Sequence, residues 1–246
     1  MRRMSKTRRF LITNDDGIDS PGIIRLAETA RQYGEVFVVA PAGQCSAMSQ
    51  RLTLYNEMEL SPINDFPVDG VQVWSLIGTP ADCVKVALRV LQLHPDLLFS
   101  GINRGFNTGF DIAYSGTCGA CVEGLFNAVP SFAFSNQDHD NFEVVDRMLP
   151  SLIEELSARE IAPNAYWNVN FPNCPSAELK GILYDRFPAP MQLYRDNILQ
   201  RKTEDGRWML SQRGVPMDPK DAPDGSDIHA VLHKFISVGK ITTPYL

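Results

Sequence analysis

Short, uninterrupted apolar runs that each end in a polar loop recur along this chain, and they constrain its fold more than any other feature. The first spans residues 10–13 and ends in Asn14-Asp15-Asp16-Gly17. Ser20 and Pro21 then supply an N-cap and a proline at the first helical position, and Ile23, Leu26, Ala27 and Ala30 recur on one face before Gly34. A second run covers 36–40, so the chain opens as strand, helix, strand. The pattern predicts a strand at 71–77, then a helix capped by Thr79, started by Pro80 and turning Val84, Leu88 and Leu91 inward. A strand at 96–100, a Gly- and Asn-rich loop at 101–116, a helix at 117–127 and a strand at 131–135 follow. A helix over 143–158, kinked or broken at Pro150, and a strand at 166–171 complete the series. Unbroken apolar strands are covered on both faces, and alternating β and α units make an α/β, doubly wound, mostly parallel sheet.

After Pro175 the texture turns Pro- and Gly-rich, with a hairpin expected around 207–212 and a last strand near 234–242. We divide the chain into a core, 1–175, and a β-rich extension, 176–246, read as an oligomerisation arm and not an independent domain.

With 44% hydrophobic and 21% charged residues in 246, the composition is that of an ordinary globular chain. The net charge of −6 argues against a nucleic acid polymer as partner, since such binding needs clustered Lys and Arg to release counterions. Arg2, Arg3, Lys6, Arg8 and Arg9 do cluster, but no apolar targeting segment follows, and they read as a frayed, solvated terminus. No run approaches the roughly 20 apolar residues of a membrane-spanning helix, so no membrane association is expected. Five cysteines in no framework spacing suit a reducing compartment, and a cytoplasmic location is expected.

In doubly wound sheets, ligands bind where strand order reverses, at the carboxyl ends of strands. Asp15 and Asp16 put two hard oxygen donors there, and a bound Mg²⁺ or Mn²⁺ would relieve their repulsion. An acidic pair in a loop also caps helices or sits in water. Ser46, after the second strand, and Asn103, in Ser100-Gly101-Ile102-Asn103, could complete an oxygen shell with places left for water and substrate. Asn103 could equally be turn chemistry. Ser115-Gly116-Thr117 opens a helix, where free N–H groups favour an anion, although a plain N-cap has the same pattern. Gly105, Asn107, Gly109 and Asp111 precede it and would let the backbone approach a bound group, or equally form only a tight loop.

Together Thr13-Asn14-Asp15-Asp16-Gly17, Val38-Val39-Ala40-Pro41 leading to Ser46, Gly78-Thr79-Pro80-Ala81-Asp82-Cys83, and Ser100-Gly101-Ile102-Asn103 through Tyr114-Ser115-Gly116-Thr117 resemble the SurE family of survival-protein nucleotidases. The resemblance implies a Rossmann-like core, and one divalent cation per subunit held by Asp15, Asp16, Ser46 and Asn103. It implies Asp15, Asp16 and Asn103 as catalytic residues, and a phosphate contacted by Asn14, Asn107, Ser115, Gly116 and Thr117. The implied reaction is hydrolysis of nucleoside 5′- or 3′-monophosphates, sometimes short polyphosphate, by a homodimer or homotetramer. Cys45, Cys118 and Cys121 depart from the expected pattern and bear on pocket shape.

Two other readings remain open. A haloacid dehalogenase-type phosphatase also begins with acids after the first strand, but its Asp-x-Asp spacing is missing. A nucleotide-binding module without catalysis would lack its usual phosphate loops, since neither G-x-G-x-x-G after the first strand nor G-x-x-x-x-G-K-[ST] occurs. Cys118-Gly119-Ala120-Cys121 could be a redox pair at a helix start but reads as buried small residues, and His229 and His233 lack the Glu that a metalloprotease helix places at Ala230.

Overall fold

The computed structural model describes residues 7–138 and 140–246. Arg2, Arg3 and Lys6 of the basic cluster lie outside the described residues. Arg8 and Arg9 are not part of a frayed end: they begin β1, Arg8–Thr13, where Arg9 pairs with Glu35 at 3.1 Å.

After β1 come α1 (Pro21–Ala30), β2 (Gly34–Pro41), β3 (Leu60–Pro62), β4 (Gln72–Leu76), α2 (Pro80–Arg89), β5 (Leu97–Arg104), α3 (Gly116–Phe126) and β6 (Ser131–Asn136). Then follow α4 (Glu143–Ser157), β7 (Ala165–Phe171), β8 (Ile182–Leu183), β9 (Tyr194–Arg195), β10 (Ile198–Lys202), β11 (Trp208–Gln212), β12 (Val215–Pro216), α5 (Asp227–Leu232) and β13 (Ile236–Thr242). Among the described residues the main sheet has nine strands in the order β3-β4-β2-β1-β5-β6-β7-β13-β8. From β4 through β7 neighbouring strands run parallel, so the order reverses between β1 and β5, as a Rossmann-like sheet requires. Helices α1 and α4 bury Ile23, Leu26, Leu149 and Leu152 on one face, and α2 and α3 cover the other.

Three local expectations change. The helix at Pro150 is neither ended nor split: α4 runs through it, and the buried row Val144, Val145, Leu149, Leu152, Ile153 and Leu156 outweighs the lost backbone bond. The loop after the fifth strand begins at Gly105 and not at Gly101. Asn103 and Arg104 still pair with Ser135 and Asn136, across a register shift that follows Ser100. Gly101 makes this possible, with φ of +135° and a hypothetical Cβ only 2.3 Å from the Phe134 carbonyl oxygen. The short strand β3 has no counterpart in the sequence reading, being three residues long and ending in proline.

Beyond Pro175 the chain serves two structures. β13 pairs antiparallel with β7 and parallel with β8, extending the main sheet. β10 and β11 form a separate antiparallel hairpin, and β9 pairs with β12.

Candidate active site

The switch point between β1 and β5 opens into a cavity of about 770 Å³. Asp15, Ser46, Asn103, Asn107 and Ser115 line it, so residues from the ends of β1, β2 and β5 and from the start of α3 converge there. Asp16 stands beside it, and Asn14, Gly116 and Thr117 form the layer behind.

Each piece is fixed by bonds that the strand-end sequences supply. Asn14 is fully buried, and its amide nitrogen donates to the Gly17 carbonyl and the Ser20 hydroxyl at 2.8 Å each, shaping the turn into α1. Asp15 receives the Thr117 hydroxyl at 2.6 Å on Oδ1 and the Thr117 backbone N–H at 3.3 Å on Oδ2. Thr117 therefore presents its hydroxyl to Asp15, and Ser115 caps α3 by accepting from the Cys118 N–H at 3.0 Å. Gly116 between them is obligatory for contact, because a Cβ there would lie 2.9 Å from Asp15 Cβ. Asp16 Oδ2 accepts the Arg104 backbone N–H at 2.8 Å, joining the tips of β1 and β5.

The Ser46 loop is held from several sides. Cys45 N–H donates to the Asp15 carbonyl at 2.7 Å, Ser49 N–H to the Tyr114 carbonyl at 2.9 Å, and Thr53 N–H to the Asp82 carboxylate at 3.1 Å. Asp82 also closes the capping box of α2 with Thr79. The Gly78-Thr79-Pro80-Ala81-Asp82 motif thus positions a loop and does not itself enter the cavity. Behind Asn107, the Asn170 side chain accepts its N–H at 2.9 Å, the Asn168 amide donates to its carbonyl at 2.8 Å, and the Asn107 amide reaches Ser135 Oγ at 2.8 Å.

Burial pushes the Asp15 carboxyl up to about 6; the Thr117 hydroxyl opposes the rise and the charge of Asp16 adds to it. Asp16 is also raised by burial, against the N–H and the charge of Arg104. Two desolvated neighbouring acids make an environment that a cation stabilises. Among the described residues no three His, Cys, Asp or Glu side chains cluster as a metal site, so what the tip of β1 offers is a pair of carboxylates plus neutral oxygens. Asn103 fits that set, since its Nδ2 is spent on the Gly105 carbonyl at 2.8 Å and its Oδ1 is the remaining donor. An all-oxygen set suits a hard ion such as Mg²⁺ or Mn²⁺. Cys45, Cys83, Cys118, Cys121 and Cys174 are free, buried thiols. Burial raises Cys118 to about 11 and Cys121 well above the usual thiol range, which suits packing and not redox exchange.

The cavity has a second wall that the sequence did not disclose: Gln192, Tyr194, Asp196, Gln212 and Gly214, all from the C-terminal region. Arg104 was also missed, because its strand was expected to end at residue 100.

A family profile described as Survival protein SurE matches residues 10–190. The 5′-nucleotidase SurE of Thermosynechococcus vestitus is 35% identical over 244 residues, covering 95% of this chain and 90% of that protein. The 5′-nucleotidase SurE of Vibrio campbellii is 36% identical over 239 residues, covering 95% and 88%. The crystal structure of a SurE protein from Aquifex aeolicus superposes with a TM-score of 0.81 at 33% identity, covering 96% of this chain and 95% of that one. On these matches, which span most of the chain, this chain belongs to the SurE family.

Proposed function

We propose that this chain is a divalent-cation-dependent 5′-nucleotidase that hydrolyses nucleoside 5′-monophosphates, with 3′-monophosphates and short polyphosphate as secondary substrates. The observation that carries the reading is the convergence of Asp15, Ser46, Asn103, Asn107 and Ser115 on one cavity at the switch point. Asp15, Asp16, Ser46 and Asn103 would hold Mg²⁺ or Mn²⁺, which supplies charge neutralisation and Lewis acidity at the phosphoryl group.

The remaining work falls to the chain. Thr117 keeps Asp15 oriented, and Arg104 N–H does the same for Asp16. The α3 start, from Ser115 to Thr117, turns the positive end of its helix dipole toward a phosphoryl group and stabilises the charge that grows as water attacks. Attack of water on phosphorus breaks the ester P–O bond and yields nucleoside and inorganic phosphate. We assign an aspartate nucleophile no role, since Asp15 and Asp16 would both be committed to the cation, and a carboxylate so committed is a poorer nucleophile than water activated beside it.

The reading extends to a cytoplasmic homodimer or homotetramer without nucleic acid or membrane partners. The hairpin β10–β11 supports assembly by exposing Ile198, Leu199, Trp208, Met209 and Leu210. Among the described residues no helix is long and apolar enough to cross a membrane.

Phosphate release from a nucleotide panel with Mg²⁺, Mn²⁺ or EDTA tests the reading. Turnover that persists unchanged after chelation, or an aspartyl-phosphate trapped during turnover, would overturn it.

A further inference from the structure

The nucleotidase reading accounts for one side of the cavity. The other side is built from residues 192–214, and it has a different chemistry. About 770 Å³ lies within the roughly 300–1,000 Å³ of small-molecule sites and leaves room for much more than a phosphate. Among the described residues Arg104 is the only Lys or Arg lining it, and it belongs to β5 beside Asp16. The far wall carries Asp196, with Asp111 below it, so a second phosphate is unwelcome there and a neutral, flat group is not.

Tyr194 is the aromatic residue of that wall, 42% exposed and lining the cavity. Its ring is seated on the backbone of Gly214: a Cβ at that position would lie 2.7 Å from Tyr194 Cβ and 3.1 Å from its Cγ. β9 carries Tyr194 opposite Pro216 of β12. The rim is locked by Gln212 Nε2 donating to Asp196 Oδ1 at 2.6 Å and by Arg213 N–H donating to the Asn197 carbonyl at 2.8 Å. The wall is tied to the phosphate side by Phe110 N–H on the Met191 carbonyl at 3.0 Å and by the Leu193 N–H on the Asp111 carboxylate. Tyr114, the other tyrosine of the cavity, adjoins Ser115 at the start of α3 and so stands at the phosphate end.

Resting on the nucleotidase reading, we propose that the C-terminal segment forms the nucleobase end of the site, with Tyr194 as the platform on which the base stacks and Gly214 as the residue that seats it. Every base has a π-face, so stacking of this kind favours nucleotides over other phosphomonoesters without choosing strongly among bases.

The test compares kcat and KM for AMP and for ribose 5-phosphate, which keeps sugar and phosphate but has no base, at saturating Mn²⁺. In Tyr194→Ala, kcat/KM for AMP should fall about tenfold or more, mainly through KM, while ribose 5-phosphate is unaffected. Tyr194→Phe should retain the preference for AMP, and Gly214→Val, which displaces the ring, should lose it. A Tyr194→Ala protein that loses both substrates equally, or that leaves AMP kinetics unchanged, overturns the inference. So does a wild-type protein that hydrolyses ribose 5-phosphate as well as AMP, although that result leaves the phosphatase chemistry standing. A wild-type protein that turns over neither substrate removes the nucleotidase reading itself and this one with it.

Discussion

The Thr117 hydroxyl donates to Asp15 Oδ1 at 2.6 Å, so the first turn of α3 and the tip of β1 are fastened to each other at the mouth of the sheet. A carboxylate oriented in this way needs no rearrangement to meet a cation. In Thr117→Val the acid stays buried and keeps the backbone N–H but loses the shorter, hydroxyl bond, and the Mn²⁺ concentration giving half-maximal activity should rise about 10- to 100-fold. Metal titration of phosphate release measures this directly; an unchanged midpoint would show that Thr117 serves packing alone.

Removing the carboxylates themselves should have a larger effect. Asp15→Asn and Asp16→Asn are each expected to lower turnover of AMP by at least about 100-fold, with little loss of fold, because the substitution preserves shape and relieves like-charge repulsion. Elemental analysis after dialysis against Mn²⁺ should find the ion in the wild-type protein and not in the double variant.

The raised pKa of Asp15 makes the cation-free protein sensitive to pH. Folding moves this group from 3.8 to about 6, so the folded chain holds the proton more tightly than the unfolded chain. The stability this gives is complete below about 3.8 and is lost as pH rises through about 6, in total about 3 kcal/mol. With EDTA present, the wild-type denaturation midpoint should therefore drop relative to Asp15→Asn between pH 4 and pH 7. Added Mn²⁺ should restore the wild type at pH 7 and leave the variant where it was.

Gly101 offers a purely structural check. An alanine there must adopt φ of +135° and place its methyl 2.3 Å from the Phe134 carbonyl oxygen. Gly101→Ala should cost about 3 kcal/mol or more, read as a lower midpoint in urea, because backbone, unlike a side-chain tip, cannot swing aside.

The hairpin can be examined by solution mass. Trp208→Lys with Leu210→Lys changes two exposed apolar residues and touches no hydrogen bond of the β10–β11 ladder. A shift from oligomer to monomer in light scattering, with the hairpin intact, is expected. No change in mass would remove the arm from the assembly.

Much of the core was legible because its signals are local. An apolar run flanked by Asn14-Asp15-Asp16-Gly17, or a Thr79-Pro80 helix start, carries its own geometry within a few residues, and both appear where the spacing puts them. The wall of the cavity was not legible for the opposite reason. Tyr194 and Gly214 meet only through the β9–β12 pairing, and neither lies in a periodic segment. The end of β5 was misplaced since Gly101 reads as a loop residue, whereas its freedom serves a register shift inside the sheet. The strand at 166–171 carries no site signal in the sequence, yet its Asn168 and Asn170 are the clamp behind Asn107.

The cavity is assembled from two kinds of scaffold, a floor rooted in the parallel sheet and a wall hung on two short antiparallel pairings. Such a division lets selection act on them separately. Drift in the wall can alter which molecules gain entry while the machinery beneath keeps its spacing, so homologues sharing one chemistry can come to differ in diet.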